Sequence, residues 1–197
     1  MRPARRRLRA GPVVPACLAL ALAVTSAAAQ PATFEDFADP AAGTRWGYVA
    51  DGVMGGVSRG GARIVTGEGA HVRLTGTVST ANNGGFVQVR RRLDAPWPED
   101  VVAITLEARG NGERYYVFLR HRAARRVFHS YRAAFETGAD WARLRLPLSA
   151  FAPSHDGMAP AIAPEDVAGI GLVAYGRDHE ADLSVRWIGL ERGGARR

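Results

Sequence analysis

Lysine does not occur in this 197-residue chain; all 26 basic residues are arginine. That removes a phosphate-loop lysine, Schiff-base chemistry and serine–lysine dyads, each of which needs an amine that can approach a substrate or lose a proton. Cysteine occurs once, at Cys17, inside an N-terminal stretch that reads as a leader. The mature chain therefore has no thiol nucleophile, disulfide or cysteine metal ligand. Long apolar runs are scarce as well: residues 13–24 fall short of the roughly 20 that a membrane span requires. An excess of charge is lacking where it would matter. The formal net charge is +7, but Arg2, Arg5, Arg6, Arg7 and Arg9 lie in the leader, and Arg192, Arg196 and Arg197 lie at the C-terminal end. Residues 30–190 hold 18 basic and 18 acidic groups. A polyanion-binding domain keeps its excess charge in its body, so a nucleic-acid partner is not expected.

The first 29 residues have an arginine-rich start, a short apolar stretch and Ala27-Ala28-Ala29 before Gln30. This is the pattern of a secretory signal peptide. It predicts export to the periplasm or beyond the cell, with no membrane span after cleavage. Residues 191–197 read as a disordered basic tail, and 30–190 as one domain.

The hydrophobic period in that domain is mostly two. Leu144, Leu146 and Leu148 alternate with Arg143, Arg145 and Pro147; Val72 and Leu74 alternate with His71, Arg73 and Thr75; Leu183, Val185 and Trp187 alternate with Ser184 and Arg186. Such alternation marks strands with one buried face. Further strands are expected at 62–66, 86–92, 101–108, 114–121, 126–136 and 169–175, and Pro164–Val167 reads as one helical turn. Arg109-Gly-Asn-Gly112 and Asn82-Asn-Gly-Gly85 are turns in which glycine or asparagine takes positive φ. Eight to ten short strands without a long helix predict an all-β fold, an antiparallel β-sandwich in a single domain.

Two stretches stand out. Trp46 to Ser58 is too glycine-dense for a regular strand and lacks the spacing and lysine of a phosphate loop. Asn82-Asn83-Gly84-Gly85-Phe86 leads into an alternating strand, with Gly76-Thr-Val-Ser79 just before it. Asp51-Gly-Val-Met-Gly-Gly-Val-Ser58, Gly76 to Ser79 and Asn82 to Phe86 together resemble the signature of the complex I intermediate-associated protein 30 family. The resemblance runs over roughly 34–190. It departs from the family at Thr80-Ala81 and at Asp178-His-Glu-Ala181. It implies a galactose-binding-like jelly roll and a chaperone-like, non-catalytic role, since the family's mitochondrial members act in assembly of respiratory complex I.

On their own chemistry, Asp51, Asn82 and Asn83 suit sugar hydroxyls or an oxygen-ligated cation. The commoner role of such residues is to bond their own backbone and hold tight turns, while glycines let loops pack closely. Met54 reads as a plug in the core or as an exposed apolar contact, with core filling the expected role. Ser58 and Phe86 close the two motifs. The candidate binding surface is thus Asp51, Met54, Ser58, Asn82, Asn83 and Phe86. Arg120, Arg122, Arg125 and Arg126 gather near one hairpin turn, and Arg90 to Arg92 end another strand; they read as an anion-binding edge or as a solvated edge that discourages strand pairing. Among the tryptophans, Trp141 and Trp187 are expected in the core, and Trp97, between two prolines, on the surface.

The five histidines form no HExxH spacing, and no metal site or cofactor is predicted. Ser154-His155-Asp156 spells a triad in order, but neighbouring side chains on an extended segment point apart. No catalytic residues are predicted. The expected function is an exported binding or assembly module with a protein partner; the alternative is a carbohydrate-binding module of the cell envelope that takes a glycan.

Overall fold

The computed structural model describes residues 30–124 and 126–194. The leader, Arg125 and residues 195–197 lie outside them. Twelve strands are present among the described residues: β1 (Ala32–Glu35), β2 (Gly47–Ala50), β3 (Arg59–Val65), β4 (His71–Val78), β5 (Phe86–Arg92), β6 (Val101–Gly110), β7 (Arg114–His121), β8 (Tyr131–Glu136), β9 (Ala142–Pro147), β10 (Ala152–Pro153), β11 (Val167–Tyr175) and β12 (His179–Arg192). They form two antiparallel sheets. Sheet I has the order β3-β4-β12-β6-β9, with β1 paired to the far end of β12; sheet II has the order β10-β8-β7-β11-β5-β2. The fold is the predicted antiparallel β-sandwich.

Alternation builds the core. Val72, Leu74, Ile104, Leu106, Leu183 and Val185 point inward from sheet I, against Val87, Val89, Val117, Leu119, Ile170 and Leu172 from sheet II. Tyr115 is buried among them. Its hydroxyl donates to Asn111 Oδ1 at 2.6 Å and accepts the Asp182 N–H at 2.8 Å, tying the β6–β7 turn to β12. Burial pushes this phenol up to about 12.

Three elements depart from the alternation. A β-bulge between Val185 and Trp187 reverses the parity of β12, so Trp187 falls on the outer face while Ile188 stays in the core. There Arg143 stacks on Trp187, and Arg109 and Arg186 stack on the half-buried Trp141. Trp97 does the reverse of its expectation: it is buried, edge-on to Phe34 at 5.7 Å. Strand β8 starts at Tyr131, not 126, because the His129 N–H bonds the Arg126 carbonyl in a turn. Strand β12 runs to Arg192, two residues into the segment read as tail, where Arg145 pairs with Glu191 and Arg192 with Asp100. Among the described residues, no helix is long and apolar enough to cross a membrane.

Buried Glu35 joins the two layers at the start of the chain. It lies on β1 of sheet I and accepts from Trp46 Nε1 and from Arg91 of β5, both at 2.9 Å, and from Arg45 at 3.2 Å. Burial pushes its pKa up, but these donors outweigh that and hold it below the ordinary value. Replacing Glu35 by Gln leaves the Arg91 guanidinium, itself mostly buried, with only the exposed Asp94 at 3.8 Å as a counter-charge. The expected loss is about 3 kcal/mol of unfolding free energy, read as a lower urea midpoint at unchanged slope.

Candidate functional site

Asp51 is fully buried, and both carboxylate oxygens are in use. Oδ1 accepts the Ser58 N–H at 3.0 Å. Oδ2 accepts the Ser58 hydroxyl and the Gly85 N–H, each at 2.5 Å, and the Phe86 N–H at 3.2 Å. Ser58 Oγ in turn accepts the Ser79 N–H at 3.0 Å. One carboxylate thus gathers three chain segments, at 51–58, 79 and 84–86. The glycines make room: a Cβ on Gly56 would overlap the Asp51 carboxyl, and one on Gly84 would sit 2.5 Å from its Oδ2. Burial raises the Asp51 pKa, but the bonds from Ser58, Gly85 and Phe86 outweigh it and hold the carboxyl below its ordinary value.

Asn82 and Asn83, both at φ 57°, form the exposed turn that brings Gly85 back to Asp51. They do not join Asp51 in a common pocket, and the lone pairs of Asp51 are occupied by its own loops. Among the described residues there is also no group of three or more His, Asp or Glu placed to hold a metal ion. The shared motifs therefore hold the sandwich's loops together.

The same 3₁₀ turn that buries Asp51 turns Val53 and Met54 outward, 75% and 53% exposed. Met54 is therefore a surface contact, contrary to the core-filling expectation. Val53, Met54 and Phe86 line one end of a groove of about 700 Å³ that crosses the outer face of sheet II. Its floor is the central strand, β11, where Gly169 lies between Arg92 and Arg120, and Gly171 between Arg90 and Phe118. With no side chains on those two residues, the middle of the sheet is a trough. At the other end, Val127 and Phe128 stand exposed on the β7–β8 connection, and Arg120 donates to the Val127 carbonyl.

Of the predicted arginine edge, Arg120 and Arg122 line the groove, Arg126 lies over Phe128, and Arg125 lies outside the described residues. Sequence reading set Arg90 and Arg92 beside that edge; strand register is what places them across one trough from Arg120. It missed Gly169 and Gly171, although a Gly-x-Gly inside an apolar strand was a visible signal. Eight described arginines, among them Arg45, Arg73, Arg91, Arg114, Arg145 and Arg186, pair with carboxylates. Arg90, Arg92, Arg120, Arg122 and Arg132 have no carboxylate within ion-pair distance among the described residues. Burial and then the charges of Arg90 and Arg92 push the Arg120 guanidinium down.

Ser154 and His155 do meet, with Oγ to Nδ1 at 2.8 Å, because 154–158 is a turn and not the extended segment that would part them. Ser154 Oγ also accepts the Ser130 N–H, and the ring of His155 stacks on His129. Among the described residues Asp156 forms no side-chain hydrogen bond or ion pair, so the pair has no orienting acid there.

Asp51→Asn removes a charge that four donors address and turns an amide N–H₂ toward N–H groups. The expected cost is about 3 kcal/mol, seen as a lower melting temperature at pH 7. The sign for pH follows from the lowered pKa. The stabilisation is complete above the unfolded value near 3.8 and is lost as pH falls through the lower folded value. The variant should therefore lose less stability than the parent on acidification below about pH 4, and parallel acid limbs would contradict this.

Comparison with known proteins agrees with this architecture. The family 11 carbohydrate-binding module of the cellulase Lic26A-Cel5E of Clostridium thermocellum superposes with a TM-score of 0.70 at 15% identity, over 85% of this chain and 97% of that one. The Clostridium thermocellum module solved with a β-1,3-1,4-mixed-linked tetrasaccharide gives 0.66 at 16% identity, over 82% and 95%. An exo-β-agarase gives 0.56 at 10% identity, over 84% of this chain and 26% of that one. No curated protein matches. The family model described as Complex I intermediate-associated protein 30 matches residues 35–185, and the chain belongs to that family.

Proposed function

We propose that this chain is an exported, non-catalytic binding module that holds a partner protein in the groove over sheet II. The composition of the groove carries the reading. It is lined by arginines, by Phe86, Phe118 and Phe128, and by Met54, Val53 and Val127, with no Asp, Glu or Asn. Arginine, aromatic residues and methionine are the types enriched at protein interfaces, where acidic residues and lysine are depleted. Sugar hydroxyls also need side-chain acceptors, and Gln88 is the one carboxylate or carboxamide in the lining. The rings of Phe118 and Tyr175 are covered by the Arg132 guanidinium, 4.6 Å from each, which leaves those faces closed to a sugar. An assembly role toward a membrane complex is the family-level form of this reading.

A second reading, a glycan ligand, is favoured by the groove itself, which crosses a sandwich of the same fold as a carbohydrate-binding module solved with a mixed-linked tetrasaccharide.

The two separate by photocrosslinking. A benzophenone side chain placed at Met54 should capture a discrete protein in envelope extracts, and one placed at Glu68 should not. Val127→Ser with Phe128→Ser should lower that yield about tenfold, as expected for losing apolar anchors of the groove. Tight binding to a neutral glycan that survives the double substitution, with no crosslinked protein, would overturn the partner-protein reading. Export is checked separately: N-terminal sequencing of secreted protein should begin at Gln30, and an intact Met1 would refute it.

A further inference from the structure

The structure assigns a carboxylate-recognition site to the trough over Gly169 and Gly171. We propose that it takes an extended, acidic segment of the partner, with Asp or Glu side chains against Arg90 and Arg92 and apolar side chains against Met54, Phe86 and Phe128. The proposal rests on the partner-protein reading above and adds the chemistry of the ligand.

Strand register places the charges. Arg90 and Arg92 are two residues apart on one face of β5, opposite Gly171 and Gly169 of β11, and Arg120 of β7 closes the far side at Gly169. Alternate residues of a strand stand about 6.8 Å apart, which is also the repeat of side chains i and i+2 in an extended peptide. Acidic residues at every second position of such a segment therefore meet Arg90 and Arg92 in step. Across the trough, Arg92 and Arg120 are two strand spacings apart, about 10 Å, so an extended backbone fits between their stems. The missing Cβ atoms at Gly169 and Gly171 supply the depth.

Electrostatics points the same way. Three guanidinium groups share this trough, and among the described residues none has a carboxylate partner. Arg120 is held by the carbonyls of Val127 and Arg126, which fix its position without neutralising it. On the rim, Asp166 faces His121 at 3.4 Å, leaving the arginines unmatched. A guanidinium meets a carboxylate with two parallel hydrogen bonds, so such a ligand gains geometry as well as charge. The apolar ends of the groove, at Val53 and Met54 and at Val127 and Phe128, give the segment anchors on both sides of its charged centre.

The test uses the mature chain and fluorescein-labelled ten-residue peptides in fluorescence anisotropy. One peptide alternates Glu and Leu, and its counterpart alternates Gln and Leu. The Glu peptide should bind at least about tenfold more tightly at low salt, with the advantage shrinking at high salt. Arg90→Gln with Arg92→Gln should abolish that advantage; both side chains are exposed, and an unchanged melting temperature verifies the fold. Gly171→Ala keeps every charge but adds a methyl 3.1 Å from Gln88 Oε1 and 3.6 Å from Arg90 Cβ, so it should weaken the Glu peptide while sparing stability. Equal affinity for the two peptides, or no binding of either, overturns the proposal. So does an advantage that persists in the arginine variant. Polygalacturonate and phosphatidylglycerol vesicles serve as the other arms. If either is retained through Arg90 and Arg92 while the Glu peptide is not, the anion comes from a glycan or a lipid and the peptide assignment falls. A Met54 crosslink to a protein that survives the arginine substitutions would leave the partner-protein reading standing and remove only its acidic chemistry.

Discussion

The loops of this sandwich are organised around one buried acid with no basic partner. Asp51 lies in the interior with no guanidinium among the described residues to neutralise it, an arrangement that is costly unless hydrogen bonds replace the lost water. Four donors from two segments do so, two of them backbone N–H groups from a turn more than 30 residues away. Backbone donors cannot be rearranged without moving the chain, so satisfying this carboxylate fixes where the 51–58 loop and the start of β5 sit. Glycine at 56 and 84 follows from the same demand, because any Cβ there would occupy the acid's own space. The outward turn of Val53 and Met54 is a by-product: a 3₁₀ turn with its first residue buried has to present later ones to solvent. The motif that identifies the family is therefore structural, and it determines what the groove's rim displays.

Arginine, in the absence of lysine, takes three roles in one protein. On the outer face of sheet I it lies over Trp141 and over Trp187, which the bulge in β12 pushes outward, and pairs with Glu107, Asp182 and Glu191. In the interior, Arg91 supplies Glu35 with the counter-charge that links the two layers. Over sheet II, Arg90, Arg92 and Arg120 are matched by no acid among the described residues. A planar fork that stays charged in every environment suits all three tasks, which an amine with its compact, strongly hydrated charge would meet less well. The balanced count of 18 against 18 conceals a local excess over sheet II, where Arg90, Arg92 and Arg120 face one trough without a carboxylate among the described residues.

Much of the fold was legible because alternation is a local signal. Leu144 and Leu146, or Val87 and Val89, need only their own strand to declare an inward face, and Asn82 and Asn83 declare a positive-φ turn by residue type. What failed depended on non-local facts. Trp187 follows the parity of Val185 in sequence, and only the pairing of β12 with β6 reveals the bulge that reverses it. Trp97, between prolines, has no period to read, and its burial depends on Phe34 arriving from β1. The site was legible in pieces. The motif residues were visible, but their role as a buried junction required knowing that residues 51 and 85 meet. Arg90, Arg92 and Arg120 were visible as charges. Their confrontation across a bare strand exists only in the strand register.

That bare strand is the argument for a working surface on sheet II. Glycine in the middle of a central strand removes packing and adds unfolded-state entropy, costing roughly 0.5–1 kcal/mol per position relative to alanine. β11 carries two, both facing outward, at positions where a small side chain meets no backbone closer than 3.1 Å. The strand's inward residues, Ile170 and Leu172, are full-sized, so the economy is confined to one face. Gly56 and Gly84 are required by the carboxylate beneath them, and a Cβ on Gly169 would crowd the Arg91 carbonyl at 3.1 Å. The tightest neighbour of a Cβ on Gly171 is instead the movable end of Gln88, so the sandwich does not require Gly171 to be small. Three uncompensated guanidinium groups beside them add mutual repulsion to the same face. A fold that accepts both costs at one place retains stability to be recovered when an anionic chain fills the trough, and binding there would raise the unfolding free energy by linkage.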